Sequence, residues 1–213
     1  LIKKTAQYGR PLIISTGLAT LNDIKIAIEA CYEVQNKKIV ILQCTSLYPC
    51  PDNDVNLNAM HELKDVFNHI TGYSDHTTDE LACLAASVLG ANVIEKHFTF
   101  DSSRPGYDHH ISLMPLEMEA MVFKLRRTDK MLGTRQKQLS TKQYEARNKY
   151  YRVIVASKNL DQGSIIKDED IKIKRAPNSE SDAIDPIHYS QLIGRVLCQS
   201  ILRDEPITYK DLL

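Results

Sequence analysis

Two histidines carry the chemistry this sequence can do most readily. One stands in Gly72-Tyr73-Ser74-Asp75-His76-Thr77, the other in Glu95-Lys96-His97-Phe98-Thr99. Each ends an apolar run, and each has a carboxylate and a hydroxyl within two residues. If both runs are strands of one parallel sheet, both imidazoles leave it at the carboxyl edge, where α/β enzymes keep their reacting groups. Imidazole suits a borderline divalent ion, and the nearby carboxylates and hydroxyls also admit Mn²⁺. Taken singly, a strand-end histidine is more often a neutral, hydrogen-bonded side chain than a ligand. The pairing in successive units is what points to a metal, since no HExxH, HxH or CxxC spacing is present. Asp75 and Glu95 can orient the rings or serve other roles.

Other residues of this kind follow strands too. A hydroxyl at Ser15 and a backbone amide at Gly17 can hold a phosphate or carboxylate, or Ser15-Thr16-Gly17 can be a plain strand-to-helix turn. Tyr48 sits in a loop fixed by Pro49 and Pro51 and can line a pocket or pack beneath one. Asp108, His109 and His110 lie in a loop rich in Gly, Pro and charge, a common place for binding groups and equally for solvated residues. Arg175 reads by default as a surface charge.

The elements that must position these residues are legible as repeats. Residues 11–15, 38–43, 69–73 and 91–95 are short apolar runs that read as buried strands. Thr20 caps a helix through Leu21, Ile24, Ala27, Ile28 and Cys31. Asn56 caps one carrying Leu57, Met60, Leu63, Val66 and Phe67. Asp79 opens a third, with Leu81, Leu84, Ala85, Val88 and Leu89 inward and Gly90 as its stop. Pro115 opens a long helix through Met118, Met121, Val122, Leu125 and Met131, closed by Gly133. The polar residues all follow strands rather than helices, which is the polarity of a (β/α)₈ barrel. Four such units make half a barrel, with open parallel edges and an uncovered face. The first four units are therefore expected to be missing from this chain or supplied from elsewhere. Residues 134–150 are polar without a continuous apolar stripe and read as a linker. Beyond them, short alternating stretches at 151–156, 165–166, 171–175 and 194–197, with a helical stretch at 185–192, indicate a compact β module.

The totals exclude some classes. Lys plus Arg and Asp plus Glu both number 27 in 213 residues, so net charge gives no support to nucleic-acid or membrane-surface binding. No apolar run approaches the ~18 residues of a membrane span, and Leu1-Ile2-Lys3-Lys4-Thr5 is no signal peptide. The five cysteines are odd in number and irregularly spaced, which points to buried free thiols in a reducing cytoplasm. The first residue is not Met, so the chain reads as beginning inside a longer one.

Several stretches together resemble the sialic acid synthase family. They are Ile14-Ser15-Thr16-Gly17, Leu42-Gln43-Cys44-Thr45-Ser46-Leu47-Tyr48-Pro49, Asp54-Val55-Asn56-Leu57, the two histidine motifs, and Arg104-Pro105-Gly106 with Asp108-His109. The tail from 153 to 206 is similar to the antifreeze-like (SAF) domain of those enzymes. The resemblance implies a TIM barrel, residues 1–133, of which this is the C-terminal half. A linker at 134–150 and a small β-rich SAF domain of the β-clip kind, 151–213, follow. It implies condensation of phosphoenolpyruvate with an N-acylated mannosamine-type sugar, giving a sialic or related nonulosonic acid and phosphate. His76 and His97 then bind a divalent metal, Mn²⁺ first and Mg²⁺ or Co²⁺ as alternatives. Glu95 and Asp108 join them in catalysis. Ser15 and Ser74 lie near phosphoenolpyruvate, and Ser46 and Tyr48 on the sugar side. Arg175 is carried over the partner's site in a domain-swapped, cytoplasmic homodimer.

This sequence departs from the family pattern at Tyr107 and at Ala176-Pro177-Asn178, and it lacks the family's early lysines and early glutamate. A non-catalytic fragment acting only in assembly or sugar binding is therefore a second reading. Ice binding is a third, disfavoured by the charged Lys172 and Lys174. The sugar stays open among N-acetylmannosamine, its 6-phosphate and 2,4-diacetamido sugars.

Overall fold

The apolar runs form one parallel sheet in the computed structural model, which describes residues 1–106, 108–175 and 182–213. Tyr107 and Ala176-Pro177-Asn178, two places of departure from the family pattern, lie outside the described residues. The chain divides into two units, Leu1–Thr134 and Arg135–Leu213.

The first unit runs α1 (Ile2–Ala6), β1 (Leu12–Ser15), α2 (Leu21–Tyr32), β2 (Ile39–Cys44), α3 (Ala59–Phe67), β3 (Ile70–Asp75), α4 (Leu81–Val88), β4 (Ile94–Lys96) and α5 (Pro115–Leu132). The sheet order is β1-β2-β3-β4, every pair parallel, with Ser15 opposite Leu42, Cys44 opposite Ser74 and Asp75 opposite Lys96. This is half of a (β/α)₈ barrel. Helix α2 starts where Thr20 and Asp23 cap each other, the Thr20 amide donating to Asp23 at 2.9 Å. Its Ile24, Ile28 and Cys31, at helical spacing, pack with Ile39, Ile41 and Leu63 against one face of the sheet. Further along, Tyr73 packs with Met60 and Ala86, and Cys83 of α4 with Met121 of α5. The other face is open: alternation along β1 leaves Ile13 51% exposed, and Ile70 at the foot of β3 is 54% exposed.

Two expectations are corrected and one helix is added. Asn56 does not cap α3. It takes the left-handed conformation (φ 48°), its carbonyl accepts from the Ala59 amide, and Asn58 occupies the cap position. An asparagine tolerates that conformation, so a turn precedes the helix. Helix α1 is too short to show a period in sequence. Its end is fixed from outside, where the Asn36 amide donates to the Ala6 carbonyl at 3.0 Å. The stretch read as a linker contains α6 (Thr141–Tyr150). Its described side chains are exposed, so no apolar stripe marks it. The reciprocal cap of Ser140 and Gln143 and the face-on contact of Arg147 with Tyr151 hold its ends.

In the second unit β5 (Arg152–Ala156) pairs antiparallel with β6 (Ile171–Arg175), and α7 (Tyr189–Leu192) follows a 3₁₀ turn at Pro186–His188. Residues 165 and 196 meet as an isolated bridge rather than a ladder. Ile154, Leu160, Ile166, Ile184, Leu197 and Ile207 are among the residues of its own core. Among the described residues no helix is long and apolar enough to cross a membrane.

Candidate active site

Alternation along each strand decides what reaches the open face. On β3, Tyr73 and Asp75 face the helices, so Ser74 and His76 face inward; on β4, Glu95 and His97 do the same. The sheet's curl then gathers them. Strands β1 and β4 are three interstrand steps apart, about 14 Å if the sheet were flat. Yet the Ser15 hydroxyl of β1 donates to Glu95 Oε1 of β4 at 3.2 Å. The Ser74 hydroxyl donates to the same oxygen at 2.7 Å. Three strands thus converge on one carboxylate, and its second oxygen receives neither of these bonds.

The two histidine rings lie 5.1 Å apart, nearly perpendicular at 78°. His76 is buried, and its Nδ1 is 2.8 Å from the Thr45 carbonyl. A carbonyl only accepts, so Nδ1 donates to it and Nε2 is the nitrogen left for a ligand. Its backbone is fixed as well, the His76 carbonyl accepting from the Cys50 amide at 2.9 Å. Burial, aided by His76, holds the His97 imidazole below its usual pKa, with Asp108 opposing; His97 is therefore neutral at pH 7, the form a ligand needs. Asp108 Oδ2 lies 3.7 Å from His97 Nδ1, beyond hydrogen-bond reach. Tyr48 stacks on His76 with centroids 4.1 Å apart and stands 6.0 Å from His97. Ser46 reaches the same mouth because Gly17 lets it: a β-carbon at Gly17 would sit 2.7 Å from Ser46 Oγ, and Gly17 has φ 47°. Thr16 ties that turn to β2, donating to the Leu42 carbonyl at 2.8 Å.

Of the sequence-derived residues, the fold brings Ser15, Ser46, Tyr48, Ser74, His76, Glu95, His97 and Asp108 to one edge of the sheet. Arg175 closes β6 in the second unit. His109 braces the loop, its Nδ1 2.8 Å from the Thr99 hydroxyl, and His110 is exposed. Asp75 bonds neither ring directly; it faces the helices. Burial pushes its carboxyl up, but Lys96, the Thr77 amide and Tyr73 outweigh that and hold it below the usual carboxylate range. The Thr45 carbonyl was invisible to sequence reasoning, being main chain. Lys96 had a signal: a charge at a strand position where alternation calls for an apolar residue.

The donors fit a metal as a pair. Among the described residues no three or more His, Cys, Asp or Glu side chains converge as in a closed site. Two imidazoles, one held in place by a carbonyl, leave coordination positions to water and substrate, as an open catalytic site requires.

Comparison with known proteins bears on the family. Residues 1–137 match the NeuB family model and residues 151–213 that of the SAF domain. The N,N'-diacetyllegionaminic acid synthase of Campylobacter jejuni is 36% identical over 97% of this chain and 61% of its own length. Human N-acetylneuraminate-9-phosphate synthase is 32% identical over 97% of this chain and 56% of its own. Among solved structures, the N-acetylneuraminic acid synthetase of Leptospira borgpetersenii, in complex with citrate, superposes with a TM-score of 0.62 at 32% identity, over 69% of this chain and 52% of that one. The chain thus spans about three fifths of the length of the curated relatives it matches.

Proposed function

This chain belongs to the NeuB family, and from that premise we propose that its protein condenses phosphoenolpyruvate with an N-acylated mannosamine-type sugar, forming a nonulosonic acid and phosphate. The observation that carries the reading is one carboxylate, Glu95, fixed by hydroxyls of two other strands beside a close pair of imidazoles. In the reaction, carbon 3 of phosphoenolpyruvate forms the new bond to the open-chain aldehyde, whose π electrons move to oxygen. Carbon 2 becomes oxocarbenium-like, water adds there, and phosphate leaves with its bridging oxygen.

His76 and His97 would hold a divalent ion, Mn²⁺ by the donor set, which when bound supplies Lewis-acid polarisation of the aldehyde oxygen. The chain's own residues do the rest. Ser15 and Ser74 preorganise Glu95 so that its charge faces carbon 2 without reorganisation as positive charge develops there. Tyr48 walls the mouth on the sugar side and, by stacking on His76, restrains ring rotation. Asp108 places a carboxylate 3.7 Å from His97 Nδ1. The same reading makes the protein a homodimer in which Arg175 of one copy covers the site of the other and holds the sugar.

The test is phosphate release by the full-length protein with N-acetylmannosamine, its 6-phosphate and 2,4-diacetamido sugars, each with Mn²⁺ and with chelator. Metal-dependent release with one of these is expected. No release with any of them, or full release with chelator, overturns the proposal.

A further inference from the structure

The residue before each histidine turns away from the mouth, and these two residues meet. Asp75 and Lys96 are register partners at the last rung of the β3–β4 ladder. Lys96 Nζ lies 2.7 Å from Asp75 Oδ2, with the two side chains 1% and 0% exposed. Four further donors are aimed at the carboxylate. Oδ1 accepts from the Tyr73 hydroxyl and the Thr77 amide, both at 2.9 Å. Oδ2 accepts also from the Thr77 hydroxyl at 3.0 Å and the Cys83 thiol at 3.3 Å. Lys96 donates a second bond to the carbonyl of Thr77, one residue beyond His76.

A buried ion pair of this kind contributes little to stability compared with two well-packed apolar side chains, because both charges lose their hydration. What it does supply is direction. Apolar contacts between β3 and β4 would tolerate small slips and rotations, whereas this set of bonds fixes the chain at residues 73, 75, 77 and 96 in one arrangement. Those positions bracket His76 and adjoin His97.

We propose that Asp75 and Lys96 are positioning residues: a buried clamp on the outer face that sets the spacing and mutual tilt of His76 and His97 on the inner one. The proposal deepens the metal reading above and rests on it for its purpose. The geometric claim can fail separately.

The experiment uses the full-length protein carrying Asp75→Asn with Lys96→Met, which removes both charges at nearly constant shape and leaves no lone buried ion. Circular dichroism first establishes that the double variant is folded. Crystal structures of the metal-free wild type and variant then give the ring separation, and titration followed by the spin resonance of free Mn²⁺ gives the affinity. The expected result is a folded variant whose histidine rings are displaced or disordered and whose Mn²⁺ affinity falls about 10–100-fold, as for lost outer-shell partners of metal ligands. A folded variant with wild-type ring geometry and wild-type affinity overturns the proposal. If the wild type itself binds no Mn²⁺, the metal reading falls while the ring geometry still judges the clamp. Should the double variant not fold, Tyr73→Phe, which deletes one hydroxyl, replaces it, with a several-fold loss of affinity expected and none overturning.

Discussion

Ser15 and Ser74 commit their hydroxyl protons to the same oxygen of Glu95, and that shared acceptor makes the carboxylate more than a polar residue at a strand end. Both donors fix its direction. Glu95→Gln keeps an oxygen that can accept both bonds but removes the charge. It is expected to lower kcat about 100–1,000-fold, by analogy with losing one preorganised electrostatic partner, with a smaller change in KM. Phosphate release under saturating substrate measures it, and a kcat within threefold of wild type would assign Glu95 to binding alone. The histidines are argued the same way. His76→Ala and His97→Ala are each expected to abolish Mn²⁺-dependent condensation in the full-length protein while the circular dichroism spectrum stays that of the wild type. Wild-type activity in either variant would remove that residue from the ligand pair.

At the scale of elements, the strands and most helices were legible because apolar runs and helical spacing reflect burial against an adjacent neighbour in the chain. The inward or outward sense of Ser74, His76 and Glu95 followed from alternation once the strands were placed. What escaped depended on partners far off in sequence or on main chain. Asp75 looks like a site residue until Lys96, 21 residues away, claims it. Asn56 looks like a cap until its backbone proves left-handed. Helix α6 has caps but no buried stripe, so periodicity could not find it. The turn at Asp204 shows how such a distant contact can be tested. Lys172 and Lys174 of β6 each approach Asp204 Oδ1 at 2.7 Å and bring its carboxyl down to about 2. Its folded pKa is depressed below the usual 3.8, so the pairing favours the fold above that value and is lost as pH falls through about 2. Carboxyl carbon shifts in an acid titration are expected to give a midpoint for Asp204 well below those of exposed aspartates. A midpoint near 3.8 in the folded protein would mean that the lysines do not hold it.

At the scale of the molecule, the two units bury separate cores, and the carboxylate and both imidazoles lie in the first of them. The site rests on the curl of β1 to β4, while Ile154, Leu197 and Ile207 close the second unit without contributing to that curl. A substitution in the second core should therefore act locally. Ile154 is fully buried in the middle of β5. Ile154→Ala removes three carbons from a packed interior and is expected to cost the second unit about 2–5 kcal/mol. Scanning calorimetry of the full-length protein should show one transition moving to lower temperature while the barrel transition stays in place. Mn²⁺ retention below the first transition should be unchanged, since neither proposed ligand, His76 or His97, lies in that unit. If both transitions fall together, the two units unfold as one cooperative body. Metal retention and stability would then be coupled through the whole chain, and the separation of cores would be a matter of packing alone.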